Sequence, residues 1–484
     1  MPAPKPAARV ISAIGVAVLG LTVTAAPTCA QDVPLAQLLP RLILSEITLD
    51  SPPVLPGEFP PGSVPVGFTH VAHFSPIEAH ELNNPVVGIV QSFNTQMATQ
   101  FSTFPLGSSS GGMTYVFDES VGTFHRGSMS FGPLFAERAL TIGRRKLSAG
   151  INYQRTSHNT FEGQNLDDGS IKFYLRHDDC CTQAFNPNIL TGQPNGSRFN
   201  PVFEGDLIEA ALSLSATTET AAVFANYGVT DRWDIGLAVP FVRVNLEASV
   251  VARILRLATA AQPEVHTFEV GNPNATRTVQ RRGRAAGIGD IVLRSKYHFF
   301  RRAGGGLAGA VDLRLPTGDD NDLLGAGGAQ AKFLLVASAE WGRFGQHVNI
   351  GYTVAEGQAG GTFAGLASAP LPDEINYSQG VELVAHPRFT VIGDLVGRTL
   401  LGAGRLDLVS KDFLYGLPGL PPPFSISLDE FAPRPGNLTL LLGTAGIKYN
   451  LAGNLLLSGS VLFPLSNAGL RSRVTTVVGL DYAF

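Results

Sequence analysis

The stretch DRWDIGLAVPF, residues 231–241, shows the period on which the chain is built. Trp233, Ile235 and Leu237 are apolar and stand at every second position, while Asp234 and a glycine occupy the positions between them. Successive side chains of a β-strand point to opposite faces of the sheet. The alternation therefore predicts a strand with one apolar face and one face of small or charged groups.

The same two-residue period recurs over most of the chain after residue 112. It is clear in residues 290–299, 311–315 and 454–463. Strands of a soluble sandwich are usually about five or six residues long, whereas these runs reach about ten, the length of a membrane-spanning strand. Such strands are typical of a membrane β-barrel, whose apolar face meets lipid while its polar face lines the lumen.

The composition disfavours two other classes of protein. Only 15% of the 484 residues are charged, against about a quarter in an average soluble domain. The hydrophobic fraction is 44% and the mean hydropathy is +0.15. A helical membrane protein would gather these residues in several runs of about 18 or more, and a single apolar run occurs, at the N-terminus. A helical transporter and a charged cytosolic enzyme are therefore disfavoured.

Residues 1–30 have the form of a secretory signal peptide. Lys5 and Arg9 precede a short apolar run, which ends in the small-residue stretch AAPTCA. A retained membrane anchor and a lipoprotein joined through Cys29 are the alternatives. Cleavage after Ala30 removes two basic residues and no acidic one, so the net charge goes from −4 to −6. This negative balance predicts that nucleic acid is not a partner.

After that cleavage two cysteines remain, Cys180 and Cys181, which are adjacent in the stretch HDDCC. An exported chain meets an oxidising compartment, so this pair is a candidate vicinal disulfide in a loop. A metal site is the alternative, although zinc ligands usually come at separated spacings. We expect no metal and no cofactor.

The lengths of the connections alternate along the chain. Tight turns are expected near residues 228–232, 301–304, 342–343, 386–387 and 451–452, and long connections near residues 158–211, 247–286, 356–375 and 402–436. Outer-membrane barrels join their strands by short periplasmic turns at one end and long extracellular loops at the other. With Gly112–Asp118 as the first strand the count is about 14, or about 12 if the first pair belongs to the N-terminal region.

We therefore expect three parts in the chain. Residues 1–30 are the signal peptide, residues 31–111 are a partly helical plug or a periplasmic segment, and residues 112–484 are an all-β, transmembrane antiparallel barrel. Apolar residues at helical spacing support the middle assignment, because they occur in VPLAQLLPRLILSEITL and again from Val86 to Phe101.

The last strand carries a candidate signal for assembly. Tyr482 and Phe484 end a run with apolar residues at alternate positions, and Phe484 is the final residue. A terminal strand of this form resembles the sequence by which the bacterial barrel-assembly machinery recognises its clients. An ordinary edge strand is the alternative. We expect the assembly machinery and the lipid of the bacterial outer membrane as partners.

Four segments resemble one known group of proteins. They are GVTDRWDIGLAVPF from Gly228, GIGDIVLRSKYHF from Gly287, DLRLPTGDDNDLLGAG from Asp312, and the C-terminal stretch that begins GIKYNLAGNLLL at Gly446. They look like recurring segments of the outer-membrane proteins grouped under the meta-pathway of phenol degradation, which are similar in turn to long-chain fatty-acid transporter barrels. The resemblance implies a barrel of about 14 strands, an N-terminal plug, and passage of hydrophobic or aromatic small molecules. It offers no catalytic residues.

Two sets of side chains are candidates for the lumen. The first is apolar and would bind substrate or form the core of the plug: Phe68, Phe74, Phe93, Met97 and Phe101. The second is charged and lies on the polar faces of predicted strands: Asp290, Arg294, Lys296, Asp312 and Arg314. Because both signs occur in the second set, we expect these groups to pair with one another rather than to bind substrate.

These features predict an outer-membrane transporter or channel for the passive passage of hydrophobic or aromatic small molecules. A general porin, or a structural outer-membrane protein without a specific substrate, is the alternative. The sequence contains no HExxH zinc site and no evident grouping of Ser, His and a carboxylate on one strand end, so we predict that the chain is not an enzyme. A hydrophobic small molecule would be its remaining partner.

Overall fold

A computed structural model describes most of the chain. The described residues are 33–47, 49, 85–102, 107–108, 112–118, 120, 123–176, 205–261, 263, 266–269, 272, 274–302, 304–359, 369–417, 419–420 and 423–484. Several sequence predictions lie outside these ranges, namely the signal peptide at 1–30, the candidate contacts Phe68 and Phe74, and the cysteine pair Cys180 and Cys181.

In the described part of the N-terminal region, two α-helices precede the strands, where the sequence predicts helical structure. Helix α1 is Leu35–Leu44 and helix α2 is Pro85–Ser102. Nearly every residue of α1 is buried, so it is a core helix rather than one that floats on a surface. Within the described part of the chain, no helix has the length and apolar content that a membrane crossing requires.

The described strands number 22. They are β1 (Tyr115–Asp118), β2 (Thr123–Arg126), β3 (Leu147–His158), β4 (Thr160–Phe161), β5 (Gln164–Asn165), β6 (Ile171–Arg176), β7 (Leu207–Gly228), β8 (Trp233–Leu255), β9 (Thr276–Ile288), β10 (Val292–Arg302), β11 (Gly305–Arg314), β12 (Gly328–Trp341), β13 (Phe344–Ala359), β14 (Ala369–Pro370), β15 (Glu374–His386), β16 (Phe389–Leu400), β17 (Arg405–Tyr415), β18 (Phe424–Arg434), β19 (Leu438–Ala452), β20 (Leu455–Pro464), β21 (Leu470–Arg471) and β22 (Thr475–Ala483).

Twelve of these strands close into an antiparallel barrel. Their order is β3-β7-β8-β10-β11-β12-β13-β15-β16-β19-β20-β22, and β22 pairs back onto β3. The barrel thus has the smaller of the two predicted strand counts. The segment expected as the first strand contributes β1, which pairs only with β2. It is not part of the wall because the chain that follows β2 crosses the lumen instead of the membrane.

The barrel is apolar outside and polar inside. Ile235 and Leu237 are each 42% exposed on the outer face of β8, whereas Asp234 between them is 1% exposed and faces the lumen. Trp233, Trp341 and Phe344 are exposed near the short turns, where aromatic residues mark a membrane interface. A closed barrel satisfies every ladder hydrogen bond internally, as lipid requires. The protein is accordingly a barrel of the bacterial outer membrane.

Two strands extend far beyond the lipid. β7 and β8 have 22 and 23 residues and pair along their whole length, whereas about 9–11 residues suffice for a crossing. Their distal halves gain β6 on one side and β9 on the other. Half of residues 247–286, expected as a long loop, is therefore strand. Alternation persists there, with Val244, Leu246 and Val250 buried on the inner face.

The main hydrophobic core lies at this extracellular end rather than in the lumen. Helix α1 packs on β8 and β9, and helix α2 packs on the β17–β18 hairpin and on β6. Within this core the Phe93 ring lies 4.1 Å, between centroids, from the Phe161 ring. The two helices therefore cover the end of the barrel from which the long connections emerge.

The lipid-facing surface can be tested at Leu335, which is 49% exposed near the middle of β12. We expect Leu335→Arg to destabilise the barrel by about 2–4 kcal/mol, because it puts a charge near the centre of the bilayer. The measurement is reversible urea unfolding in phospholipid vesicles, followed by the fluorescence of the two tryptophans.

The matched control is Leu408→Arg, on the exposed face of β17 in the extracellular hairpin. A change within about 0.5 kcal/mol is expected for that variant. Equal effects of the two substitutions would contradict the assignment of the β12 outer face to lipid.

Candidate functional site

Residues 127–142, here called the lumen segment, run through the inside of the barrel without regular secondary structure. Pro133 cannot donate a backbone hydrogen bond, and Gly132 adopts a positive φ of 73°, so the sequence favours neither helix nor strand here. Phe131 and Arg138 are completely buried. The polar backbone of such a segment needs hydrogen-bond partners from the wall.

The first part of the lumen segment is held by one cation and one carboxylate. The Lys448 Nζ atom, on β19, donates to the carbonyl oxygens of Phe131 at 3.1 Å and of Pro133 at 2.8 Å. The next two backbone N–H groups donate to Asp394 Oδ2, on β16, at 3.0 and 2.6 Å. Hydrogen bonds to charged groups are each worth about 1.5–3 kcal/mol, so these contacts fix the segment firmly.

The far part of the lumen segment is held in the same way from the opposite wall. Lys296 Nζ, on β10, donates to the carbonyl oxygens of Arg138 at 3.2 Å and of Leu140 at 3.1 Å. Asp234 Oδ2, on β8, accepts the backbone N–H of Ile142 at 3.0 Å. Each end of the segment thus has a lysine for its carbonyl oxygens and an aspartate for its amides.

Neutral side chains complete the anchoring between these ends. The Asn349 side chain, on β13, donates to the Glu137 carbonyl at 2.9 Å and accepts the Glu137 amide at 2.7 Å, as a neighbouring strand would. The Ser338 hydroxyl, on β12, accepts the Ala139 amide at 2.8 Å. The segment is therefore bonded to strands on opposite sides of the barrel, from β8 to β19.

A cavity of about 180 Å³ lies inside the barrel between the lumen segment and helix α2. Phe135 and Glu137 of the lumen segment form part of one end, and Gln100 of α2 lines it from the side of the helical cap. One side of its wall is aliphatic and includes Leu440 and Leu442 of β19 and Leu462 of β20; the other aliphatic lining residues are Val292, Leu334, Val396 and Leu470. The rest of the lining is mostly polar or charged, so the cavity is amphipathic.

Ion pairs form the end of the cavity next to the lumen segment. The Arg294 guanidinium makes a bidentate contact with Asp312 on the adjacent strand and also bonds Glu137. Lys332 Nζ lies 3.3 Å from Asp312 Oδ2. Because two cations face two carboxylates, this end of the cavity is balanced in charge, and buried pairs of this kind are costly to break.

The structure brings together most of the predicted lumen charges. Lys296 and Asp312 are buried, Arg294 is half-buried, and all three point into the barrel, while Arg314 lines the cavity. Asp290 has a different task, because its carboxylate accepts the backbone N–H groups of Gly318 at 3.1 Å and Ala326 at 2.8 Å and so fixes the β11–β12 loop.

The predicted apolar contacts lie elsewhere. Of the candidates that the structure describes, Phe93 and Met97 are buried in the extracellular core, and Phe101 packs its ring 4.8 Å, between centroids, from the ring of His158. The aliphatic residues around the cavity come instead from the barrel wall and β21.

Sequence reasoning missed several residues of the site. Lys448 occupies an inward position of β19, so the alternation of that strand could have revealed it. Glu137 and Arg471 lie outside the barrel strands, and no periodicity marks them. Their place in the site follows only from the path of the folded chain.

Comparison with solved structures returns outer-membrane barrels. An outer membrane channel from Pseudomonas putida F1 is 10% identical over 72% of this chain and 98% of that chain, with a TM-score of 0.39. A toluene transporter from Ralstonia pickettii is 11% identical over 71% and 90%, with a TM-score of 0.29. A FadL homologue from Pseudomonas aeruginosa is 10% identical over 71% and 90%, with a TM-score of 0.30.

TM-scores below 0.4 do not indicate a shared substrate or mechanism. The closed strand pairing of this chain is what identifies it as a barrel. No protein-family model matches the chain, and no curated protein matches it. The resemblance to the phenol meta-pathway proteins therefore stays a prediction.

The anchoring of the lumen segment can be tested with Lys448→Met, which keeps the length of the side chain but removes its Nζ. Two carbonyl oxygens then lose their donor, at a cost of about 1.5–3 kcal/mol. We expect amide exchange in residues 130–136 to speed up about ten- to a hundredfold, as measured by hydrogen–deuterium exchange and mass spectrometry.

Lys172→Met is the matched control, since Lys172 is a half-exposed residue of β6 whose Nζ pairs with Glu209. Exchange in the lumen segment should not change in that variant. Unaltered exchange in Lys448→Met would show that the lysine does not hold the segment.

Proposed function

We propose that the protein is an outer-membrane channel through which small hydrophobic or aromatic molecules pass passively. The observation that carries the proposal is the amphipathic cavity of about 180 Å³ inside the barrel. An apolar protein cavity of about 150 Å³ binds benzene, so the cavity has the size for a single-ring compound. Its aliphatic wall would receive the ring.

The filled lumen favours a selective channel over a general porin. A porin keeps an open aqueous passage through a wide barrel, whereas here the lumen segment crosses a barrel of twelve strands and is bonded to β8, β10, β12, β13, β16 and β19. A solute that fits the cavity would cross when the lumen segment shifts locally. Bulk water and ions would not follow at a porin's rate.

The N-terminal region has a proposed part in closure. Residues 31–111 would act as a cap on the extracellular side, since Gln100 of α2 lines the cavity and α1 packs against β9. The C-terminal strand would serve assembly. Tyr482 and Phe484 form an aromatic pair at its end, with centroids 4.7 Å apart, which the assembly machinery would recognise.

The proposal predicts that filling the cavity stops transport. Leu442→Trp puts a bulky ring into the cavity from β19, and we expect it to lower the flux of radiolabelled toluene at least about tenfold. The measurement is uptake into sealed vesicles with lipopolysaccharide in the outer leaflet, because phospholipid alone is permeable to toluene. The vesicles contain no energy source, so net uptake also tests whether passage is passive.

The matched control is Ile447→Trp, which adds the same ring to the lipid face of the same strand. Its flux should stay within about twofold of the wild type. Unchanged flux in Leu442→Trp would exclude the cavity as the route. Rapid swelling of the vesicles in glucose would instead favour the general porin.

A further inference from the structure

The cavity contains buried nitrogen atoms that lack a hydrogen-bond acceptor. His158 is 8% exposed, and neither of its ring nitrogens is bonded to any described residue. The same holds for Nε2 of Gln100 and for Nε of Arg471, which is 6% exposed. All three residues line the cavity at the end near the helical cap. Buried polar groups are rarely left unpaired, so each needs an explanation.

Positive charge gathers at the same end. Arg314, Arg398 and Arg471 line the cavity there, and Arg398 is paired with Glu374 at 3.3 Å. Arg471 forms no ion pair with any described residue, and its Nη2 donates only to the Ser466 hydroxyl at 2.7 Å. Burial, together with repulsion by the Arg398 guanidinium, lowers the pKa of Arg471 to about 10. A bound anion would relieve this repulsion.

The whole cavity therefore carries an excess of cations. Its lining contains five basic side chains, Arg294, Arg314, Lys332, Arg398 and Arg471, against the three carboxylates Glu137, Asp312 and Glu374, which leaves a net charge of +2. The end next to the lumen segment is balanced, as described above, so the excess lies at the cap end. One monovalent anion would satisfy much of it.

An aliphatic wall begins directly beside these cations. Arg398 on β16 and Leu440 on β19 are register partners and face the same side, and Leu442 pairs with Val396 one step further into the barrel. These groups all line the cavity. A ligand with a charged head and an apolar body would thus meet cations at one end and leucines along its length.

We propose that the cap end of the cavity is an anion subsite, which binds the carboxylate of a small aromatic acid while the ring lies against Leu440 and Leu442. This rests on the proposed function and adds anionic amphiphiles to its substrate class. Arg471 and Arg398 would donate to the carboxylate, and Gln100 and His158 supply further N–H donors. Guanidinium groups suit this task because their donors match the geometry of a carboxylate.

The test compares benzoate with benzyl alcohol, a neutral probe of the same shape, by calorimetry on the full-length purified barrel at pH 7. In the wild type we expect benzoate to bind at least about tenfold more tightly than benzyl alcohol. Arg471→Gln should weaken benzoate binding about tenfold or more, the effect of one lost charge-assisted hydrogen bond. Binding of benzyl alcohol should stay within about twofold in that variant.

Two further variants complete the design. Arg282→Gln makes the same exchange on the exposed outer face of β9 and should leave both affinities unchanged. Arg471→Lys keeps the charge and should retain more benzoate affinity than Arg471→Gln, which guards against a mere folding defect. Equal affinity of the wild type for both probes, or an equal loss of both in Arg471→Gln, would overturn the subsite.

The toluene flux measurement separates this proposal from the channel itself. If toluene crosses but benzoate does not bind preferentially, the subsite is wrong and the channel stands. If benzoate binds as expected but toluene does not cross, the subsite stands and passage of neutral hydrocarbons is wrong.

Discussion

The structure depends on one constraint, which is that a polar backbone inside a barrel must find hydrogen-bond partners away from bulk water. The lumen segment meets it with side chains from the wall: lysines for its carbonyl oxygens, and aspartates, a serine and an asparagine for its amides. The wall charges in turn would be costly to bury without the segment. Segment and wall therefore specify each other, and neither is stable in this arrangement alone.

The number of strands and the content of the lumen are linked by the same constraint. Barrel diameter grows with strand number, and a lumen of twelve strands has space for one irregular chain crossing and a small cavity. The cavity has two chemically different ends. Its inner end is neutralised by the Arg294, Asp312 and Glu137 contacts, while its outer end keeps the charge of Arg471.

The barrel could be predicted from the sequence because strand alternation is a local property. Trp233, Ile235 and Leu237 face lipid and Asp234 faces the lumen, as the two-residue period requires. The tight turn at residues 342–343 is likewise present between β12 and β13. These features depend only on neighbouring residues, and the polarity of each residue indicates whether it faces lipid or the lumen.

The rest depended on contacts between distant parts of the chain. The lumen segment contains Phe131, Leu134 and Phe135, which suit a strand as well as they suit a buried crossing, so composition could not tell the two apart. The apolar alternation did not reveal the distal halves of β7 and β8, because charged residues such as Arg243 and Glu247 lie on their outer face, which contacts water instead of lipid. The cavity combines residues from six or more elements, and no linear motif encodes it.

The seam between β22 and β3 has a consequence for how the barrel closes. It joins Thr475 to Thr156, which are 319 residues apart, so of the described strand pairings it closes the largest loop and carries the largest entropy of loop closure. The lumen segment immediately precedes β3, at the end of the barrel with the short turns. It therefore occupies the mouth that the short turns surround, where lysines on opposite sides of the wall hold its carbonyl oxygens. A single strand pairing thus brings the C-terminal strand next to the strand that carries the lumen segment, so the closure of the wall and the position of its contents meet at one place.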